Sequence, residues 1–537
     1  MRRGEPGGRA APVSERTRRL ALAAVFMATA TAVSRVVGLG REVLVAGVYG
    51  VGADYNAFVS VSAVPNVIRQ LFADAAISAA FVPILVALIT AGDTTRARRV
   101  TGALLGFMLV LVGAATVVLL VAAGPIVRAV YPELTTTAAE TAAAVEYLRI
   151  IGPTILVLSL AGVITGVLFA HERFVMPAVV SIVWNLVIIV FVSLWHSSWG
   201  VPALAWGTLA GTVAELALLA WAMRAIGEPL RINFHFGDPH LRRVLGLMVP
   251  IAITLGIVNF NALVDLYFAQ YVSSSAAAEL HYAFRLYTLP QGIFAVTIGT
   301  VLFPSLSRFI AQHDAGRFRD TLSTGIRQTV FVSLPFVAWF MVLAAPIVRV
   351  VFQRQAFSAG DTTAVASVLI ALAVGLTFAN VNMLFNRSFQ SMQRVWLPLY
   401  VGLANLVLNA GLILVFIGPL GTAGIGLATS LVSVFSTAVL AYLLRHRIGG
   451  EEGRRIGAAT GKALACATAL AAVAAATWWV LDGLVGDGFF EVLAALTLAV
   501  AVSGAAYVGA ARVLHVEEMG LVWSVVRRRV RRAEESG

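Results

Sequence analysis

The segment AAGPIVRAVY at residues 122–131 recurs further along the chain as LAAPIVRVVF at residues 343–352. The spacing between the two copies also pairs Arg173 with Arg394, and Pro177 with Pro398. Recurrence at a fixed offset, outside the copied segment as well as inside it, is the signature of an internal structural repeat. The sequence therefore predicts two similar halves.

The composition predicts a membrane protein. Of 537 residues, 59% are hydrophobic and only 12% are charged, and the mean hydropathy is +0.88. Soluble domains carry about 25% charged residues. The apolar runs reach the roughly 20 residues that a helix needs to cross a bilayer. They are too long and too uniform for the alternating strands of an outer-membrane barrel, so an all-α polytopic membrane protein is expected.

The apolar runs predict about fourteen transmembrane helices. These spans are placed at 20–48, 56–90, 100–130, 140–170, 176–196, 201–225, 243–272, 276–310, 326–352, 362–391, 396–417, 421–445, 458–481 and 489–514. The repeat assigns six to each half and leaves two at the end. Because six is even, both halves enter the membrane in the same direction, as in transporters whose halves are related by an axis along the membrane normal.

The repeat also predicts the domain organisation. An N-lobe at 20–226 contains spans 1–6, and a C-lobe at 243–446 contains spans 7–12. A cytoplasmic linker at 227–242 joins them, the last two spans lie within 447–514, and basic tails occupy 1–19 and 515–537.

Arginine lies almost entirely on one side of the predicted spans. The net charge of +12 is concentrated in the tails and in the loops at 93–99, 171–174, 224–243, 308–320 and 445–455. This is the pattern of cytoplasmic loops, so both termini are predicted to be cytoplasmic and no nucleic-acid partner is expected. The basic start lacks a cleavable signal, and Cys466 stands alone in an apolar run, which excludes a disulfide framework.

Four of the arginines that lie within predicted spans are candidate site residues, whereas Arg149, which can pair with Glu146, and Arg387, near a span end, have structural interpretations. Arg35 and Arg41 lie in SRVVGLGRE (34–42), Arg69 lies in span 2, and Arg285 lies in span 8. A charged group at the bilayer centre costs at least about 2.5–3.5 kcal/mol, so such residues mark functional sites by default. Guanidinium groups bind phosphate oxygens bidentately. The four arginines therefore indicate a cavity for an anionic substrate, and a diphosphate fits best.

The glycines of SRVVGLGRE affect the directions in which the two arginine side chains of span 1 point. On an ideal helix, residues six apart point about 120° away from each other. Gly38 and Gly40 are expected to loosen or bend the helix so that both side chains reach one cavity. The alternative is that Arg35 and Arg41 pair with Glu42 and Asp74 and serve only packing.

A second polar set combines one carboxylate with neutral oxygens. Asp265 lies in span 7, Asn405 and Asn409 lie one turn apart in span 11, and Thr429 lies in span 12. Oxygen ligands of this kind suit a hard cation. Ordinary hydrogen bonds between helices are the alternative interpretation. Catalytic motifs and a nucleotide site are not found, so an ion gradient such as Na⁺, or the membrane potential, is the expected driving force.

Two segments resemble the MurJ/MviN family of lipid II flippases. They are SRVVGLGREVLVAGVYGVGADYNAFVSVSAVPNVIRQLFADAAISAAFVPIL (34–85) and HYAFRLYTLPQGIFAVTIGTVLFPSLS (281–307). The resemblance implies the fold of the multidrug/oligosaccharidyl-lipid/polysaccharide exporter superfamily. It also implies transport of an undecaprenyl-diphosphate-linked glycopeptide, lipid II, across the bacterial cytoplasmic membrane by alternating access.

The resemblance assigns roles to the residues singled out above. The essential cavity arginines of the family match Arg35, Arg41, Arg69 and Arg285, with Glu42, Asp54 and Asp74 as supporting charges. The sodium site of some members matches Asp265, Asn405, Asn409 and Thr429. The chain departs from the family pattern at Asn56, where an acidic residue is common, and at Asn409, which replaces a carboxylate.

Several functions remain open at this stage. A flippase for lipid II is the first, and a flippase for another polyprenyl-diphosphate-linked glycan is the second. An exporter of cationic drugs conflicts with an arginine-rich cavity. A non-transporting scaffold for wall synthesis is the alternative outside transport, and the short outer loops argue against a polymerase. Membrane lipids and other cell-wall synthesis proteins are the expected partners, and the chain is expected to be a monomer.

Overall fold

The computed structural model describes residues 15–520, apart from residues 73–74, 136, 298–301, 395, 449–452 and 485. The described residues form helices and short connections, without a β-strand. The helices are α1 (Glu15–Tyr49), α2 (Ala53–Phe72), α3 (Ala75–Thr90), α4 (Thr94–Val121), α5 (Ala123–Val130), α6 (Ala138–Ile151), α7 (Thr154–Ala170), α8 (Val175–Trp199), α9 (Pro202–Ala225), α10 (Pro239–Ala269), α11 (Ala276–Thr297), α12 (Phe303–Ala311), α13 (Ala315–Val342), α14 (Ala344–Phe352), α15 (Ala359–Ser391), α16 (Trp396–Leu420), α17 (Thr422–Ile448), α18 (Gly453–Asp482) and α19 (Phe489–Val513).

The predicted all-α class is confirmed. Ten segments of the described chain are long and apolar enough to cross a membrane, and two shorter apolar helices lie at Ala80–Thr90 and Phe260–Ala269. The predicted span at 176–196 corresponds to α8, whereas the predicted span at 100–130 is divided into two consecutive helices, α4 and α5. The predicted span at 56–90 contains α2 and α3, on either side of residues 73–74, which lie outside the described residues. The number fourteen stays a prediction.

Two helices of the same length begin with the same cap. Asp93 precedes α4 and accepts a hydrogen bond from the backbone N–H of Arg96, and Asp314 precedes α13 and accepts one from Arg317. An aspartate at this position satisfies a backbone donor that the first helical turn leaves unpaired. The spacing of the two caps equals that of the sequence repeat, which is in keeping with two similar halves.

The chain forms two compact units whose sequences alternate. Within the described residues, the first contains the chain up to Leu44, Pro65–Ala123 and Glu146–Ile253. The second contains Val45–Val64, Gly124–Val145 and the chain from Thr254 onward. The predicted lobes rest on the repeat and stay predictions. The units rest on packing, and residues 45–64 and 124–145 pack with the second half of the chain.

Small residues bring helices together in both units. In the first unit, a Cβ on Gly207 of α9 would lie 2.8 Å from the Phe191 Cβ of α8. In the second unit, a Cβ on Gly375 of α15 would lie 2.6 Å from the Ser430 Cα of α17. The Ser430 hydroxyl donates to the Ala371 carbonyl at 2.6 Å and accepts from the Gly375 N–H at 3.0 Å. Close backbone approach through small residues is the usual way helices pack inside a membrane.

Candidate functional site

Arg41 is the most firmly held of the four predicted arginines. Its guanidinium group forms a buried ion pair with Glu42, and its Cζ lies 4.7 Å from the centre of the Trp184 ring on α8. A cation over an indole face is stabilised by the ring's quadrupole, more strongly when water is excluded. The carboxylate and the ring together fix the position of the charge.

Trp184 is in turn held by α9. Its indole N–H donates to the Thr212 hydroxyl at 3.3 Å, and a Cβ on Gly211 would lie 3.0 Å from the Trp184 ring. The ring thus fits against α9 because Gly211 has no side chain. Three helices of the first unit, α1, α8 and α9, therefore determine where the Arg41 guanidinium lies.

Span 1 is not unwound at its two glycines, and a bend there stays a prediction. The α1 helix continues without interruption through Gly38 and Gly40. A Cβ on Gly38 would lie 3.6 Å from the Asn185 Oδ1, which is ordinary van der Waals distance, and one on Gly40 would meet no atom of the described residues within 4 Å. Each glycine destabilises a helix by only about 1 kcal/mol relative to alanine, so two glycines within otherwise well-formed turns do not interrupt it.

Arg35, Arg69 and Arg285 have different surroundings. Arg35 is exposed and makes no hydrogen bond or ion pair with the described residues. Arg69 donates to the Asn66 Oδ1 on the same helix, at 2.9 and 3.2 Å. Arg285 is exposed, and its Nε lies 3.5 Å from the His281 Nε2 one turn earlier.

The supporting charges are distributed unevenly. Glu42 pairs with Arg41, which is the contact that the packing alternative expects there, whereas Arg35 makes no ion pair with the described residues, which do not include Asp74. Asp54 is exposed in the first turn of α2, and Asp74 lies outside the described residues. Arg35, Arg41 and Arg69 belong to the first unit, and Arg285 belongs to the second.

The structure brings most of the predicted cation site together in the second unit. Asp265 is 5% exposed, and its two carboxylate oxygens accept from the Asn409 amide at 2.7 Å and from the Thr429 hydroxyl at 3.5 Å. The Asn405 amide instead donates to Ser436 at 3.2 Å. Among the described residues, no arginine, lysine or histidine forms an ion pair with Asp265. A buried carboxylate without a positive partner is costly unless a proton or a cation joins it.

Three buried amide oxygens on α10 and α16, the helices of Asp265 and Asn409, have no hydrogen-bond partner among the described residues. They are the Oδ1 atoms of Asn261, Asn405 and Asn409. The sequence reasoning missed Asn261, although it lies four residues before Asp265 on α10 and therefore on the same helix face. Unpaired buried carbonyl groups next to a carboxylate are the donor set that a hard cation uses. The residues present thus fit a cation such as Na⁺.

A third polar set joins the ends of helices on the side predicted to face outward. The Tyr282 hydroxyl donates to the Gly50 carbonyl at 3.2 Å, and the Ala278 N–H donates to the Asn56 Oδ1 at 3.1 Å. Gly50 has φ +56, and a Cβ there would lie 2.5 Å from the Ala356 carbonyl oxygen. Only glycine fits this turn. These contacts join residues of the predicted N-lobe to residues of the predicted C-lobe.

Gln270 makes a second connection of this kind at the end of α10. Its amide nitrogen donates to the Val130 carbonyl at 3.2 Å and to the Tyr267 carbonyl at 2.8 Å, and its amide oxygen accepts from the Glu133 N–H at 3.2 Å. Gln270 is 7% exposed. The side chain therefore acts as a clasp between α10 and the turn after α5, and sequence spacing gave no signal for it.

Comparison with known proteins identifies related sequences. A model of the family described as "Lipid II flippase MurJ" matches residues 45–500. The probable lipid II flippase MurJ of Rhizobium meliloti is 30% identical, covering 74% of this chain and 76% of the relative. That of a Synechocystis strain is 30% identical, covering 82% and 84%. The lipid II flippase MurJ of Burkholderia cenocepacia is 28% identical, covering 78% and 82%.

Solved structures share the fold. A lipid II flippase MurJ in an inward closed conformation superposes with a TM-score of 0.75 at 21% identity, covering 92% of this chain and 99% of that one. A multidrug resistance MATE family transporter of the MOP superfamily, in an inward-facing conformation, gives a TM-score of 0.61 at 17% identity, covering 79% and 94%. The chain therefore has the fold of these transporters.

Proposed function

The chain belongs to the family described as lipid II flippase MurJ, and we propose that it moves lipid II from the inner to the outer leaflet of the bacterial cytoplasmic membrane. The resemblance predicted from the sequence is thereby confirmed. Members of this family are transporters, and the proposed activity contains no catalytic step. Translocation supplies the precursor of peptidoglycan to the outer surface for cell-wall synthesis.

The observation that carries the proposal is the family match over residues 45–500, which includes Arg69, Arg285 and the Asp265 cluster. Arg35 and Arg41 lie just before this range, so their proposed role rests on their surroundings. Arg41 is held in place by Glu42 and Trp184, and Arg35 is exposed without a partner among the described residues. Both the fixed guanidinium group of Arg41 and the exposed guanidinium group of Arg35 suit the diphosphate of lipid II.

The test is to express the chain in a bacterium depleted of its own lipid II flippase and to measure lipid II on the outer leaflet. The native chain is expected to restore exposure, and Arg35→Ala and Arg285→Ala are expected to lose it. Arg317→Ala, in an exposed position at the start of α13 on the side predicted to be cytoplasmic, is the matched control. All variants are checked for insertion into the membrane.

Two outcomes of this experiment would contradict parts of the proposal. If the native chain inserts but restores nothing, either the host lacks a required partner or the substrate is another polyprenyl-diphosphate-linked glycan, and the lipid II assignment gives way to that alternative. If both arginine variants work as well as the native chain, the arginines serve packing and the diphosphate site is wrong.

Alternating access is the proposed mechanism. The contacts of Gly50, Asn56 and Gln270 join predicted N-lobe and C-lobe residues on the predicted outer side. They have to separate if the substrate is released outward. Hydrogen bonds of this kind each stabilise the closed state by about 0.5–1.5 kcal/mol. A small number of them therefore favours the closed state while the open state stays close enough in free energy to be populated.

A monovalent cation is the proposed coupling ion. Asp265 and the amide oxygens of Asn261, Asn405 and Asn409, with the Thr429 hydroxyl, would hold it. The cation supplies the positive charge that the buried carboxylate lacks. The membrane potential then contributes about 2.3 kcal/mol for each charge moved across 100 mV.

Thermal unfolding in detergent tests the ion directly. A ligand present at 100 times its dissociation constant stabilises the folded state by about 2.7 kcal/mol, so Na⁺ is expected to raise the unfolding temperature above that in choline. The isosteric Asp265→Asn variant is expected to lose this rise. An equal response of both proteins to Na⁺ would contradict the site, and a rise with falling pH in place of Na⁺ would identify a proton.

A further inference from the structure

The connection between α9 and α10 is an extended strap that lies along α4. The strap comprises residues 229–236, PLRINFHF. Its Asn233 N–H donates to the Gly102 carbonyl at 3.1 Å, and the Asn233 side-chain amide donates to the Arg99 carbonyl at 3.0 Å. The predicted linker is therefore bound to a helix along much of its length.

Two glycines one turn apart on α4 make room for the strap. A Cβ on Gly102 would lie 2.5 Å from the Asn233 amide nitrogen, and one on Gly106 would lie 3.1 Å from the Asn233 carbonyl carbon and 3.3 Å from the Phe234 ring. Any larger residue would push the strap away. The contact is thus built into the sequence of α4.

The strap alternates between polar and apolar side chains. Ile232, Phe234 and Phe236 are 48%, 58% and 40% exposed, while Asn233 between them faces α4. The Phe236 ring packs edge to face on Phe107 of α4, with 6.1 Å between ring centres. One turn further along α4, Val110 is exposed as well. The apolar face of the strap therefore continues the exposed apolar flank of a helix long enough to cross a membrane.

The surroundings of the strap are basic. The three loops at 93–99, 171–174 and 224–243 contain eight arginines and four acidic residues. One of the acidic residues, Glu228, is already paired with Arg98 at 2.8 Å. A basic surface beside exposed aromatic side chains matches the anionic headgroups and upper acyl chains at a membrane interface.

We propose that the strap is a membrane-interface anchor, with Ile232, Phe234 and Phe236 inserted at the boundary between headgroups and acyl chains of anionic phospholipids on the predicted cytoplasmic side. The occupant is lipid because the apolar face is continuous with the flank of α4 and is bordered by arginine. Extended backbone suits this depth, since headgroup water can still bond its polar groups.

Fluorescent labels on single cysteines test the anchor in the full-length protein in lipid nanodiscs. Cys466 is buried and is replaced by alanine, and a label is placed at Phe234→Cys, Phe236→Cys or, as the matched control, His235→Cys. His235 lies on the Asn233 side of the strap, where its backbone N–H bonds the Asn233 side chain at 3.2 Å. The discs contain phosphatidylglycerol and phosphatidylethanolamine, with a fraction of lipid spin-labelled just below the headgroup.

Labels at 234 and 236 are expected to be quenched by the lipid several-fold more than the label at 235. Gly106→Val, which displaces the strap, is expected to remove this difference while the protein stays folded. Equal quenching of all three labels by an aqueous quencher, with little lipid quenching, would show that water faces the strap and would overturn the proposal. Self-quenching that appears only in discs with two protein copies would overturn it in favour of a second chain.

Discussion

Replacing Gln270 with alanine is expected to release the predicted outer side of the protein. In the structure, this buried side chain bonds the Val130 carbonyl and the Glu133 N–H at 3.2 Å each. The third bond, to Tyr267, stays within the last turn of α10 and does not join separate segments. Two hydrogen bonds between the turn after α5 and the end of α10 are therefore lost.

The size of the effect follows from those two bonds. Each contributes about 0.5–1.5 kcal/mol, so the closed arrangement loses about 1–3 kcal/mol. A change of that size alters the ratio of closed to open states roughly 5- to 150-fold. Water can reach the freed Glu133 N–H because Glu133 is exposed, which places the expected change in the lower half of that range.

The assay measures how fast a cysteine behind the outer contacts reacts with a membrane-impermeant maleimide. Ala278→Cys is suitable because Ala278 is fully buried and its N–H bonds Asn56. With Cys466 replaced by alanine, Gln270→Ala should raise the labelling rate several-fold, whereas Gln312→Ala, an exposed position after α12, should not. If labelling stays unchanged while the unfolding temperature falls, the clasp belongs to a rigid part of the second unit and the reasoning is refuted.

Three further substitutions test other parts of the structure. Trp184→Leu removes the ring over Arg41 and is expected to lower lipid II exposure several-fold, with insertion into the membrane preserved; transport at the native level would contradict the role of the ring. Gly375→Ala places a Cβ against Ser430 and is expected to destabilise the protein by about 1–3 kcal/mol in thermal unfolding. Gly40→Ala meets open space and is its control, with a gain of about 0.5–1 kcal/mol expected; a loss of transport in this variant would show that α1 bends during the cycle.

The sequence predicted what depends on composition and on one helix at a time. Uniform apolar runs leave only helices as membrane-spanning elements, and Glu42 beside Arg41 is close enough in the chain to suggest an ion pair. Contacts between helices depend on rotation and depth, which the pattern of one helix does not determine. Trp184 was missed for that reason, since nothing in its neighbourhood distinguishes it from a lipid-facing tryptophan.

The Asp265 cluster shows where the resemblance helped and where it stopped. Asn409 and Thr429 were grouped with Asp265 as a set of oxygen ligands, the resemblance matched the same positions to a sodium site, and the structure brings the three together. Asn261 was not in that set and became visible only as a buried oxygen without a hydrogen-bond partner among the described residues. The orientation of Asn405, whose amide bonds Ser436, depends on a side-chain rotamer and could not be read from spacing.

The interleaving of the two compact units in the chain limits how the protein can be divided. Residues 45–64 and 124–145 are synthesised early but pack with partners that follow residue 254, as the bonds of Gly50 and Gln270 illustrate. During synthesis these segments cannot pack until the second half of the chain has been made. If the chain were cut at the linker, each of the two polypeptides would lack residues that complete its buried interior. Association of the halves is then part of folding itself, so a split version of this transporter would depend on both pieces being made together.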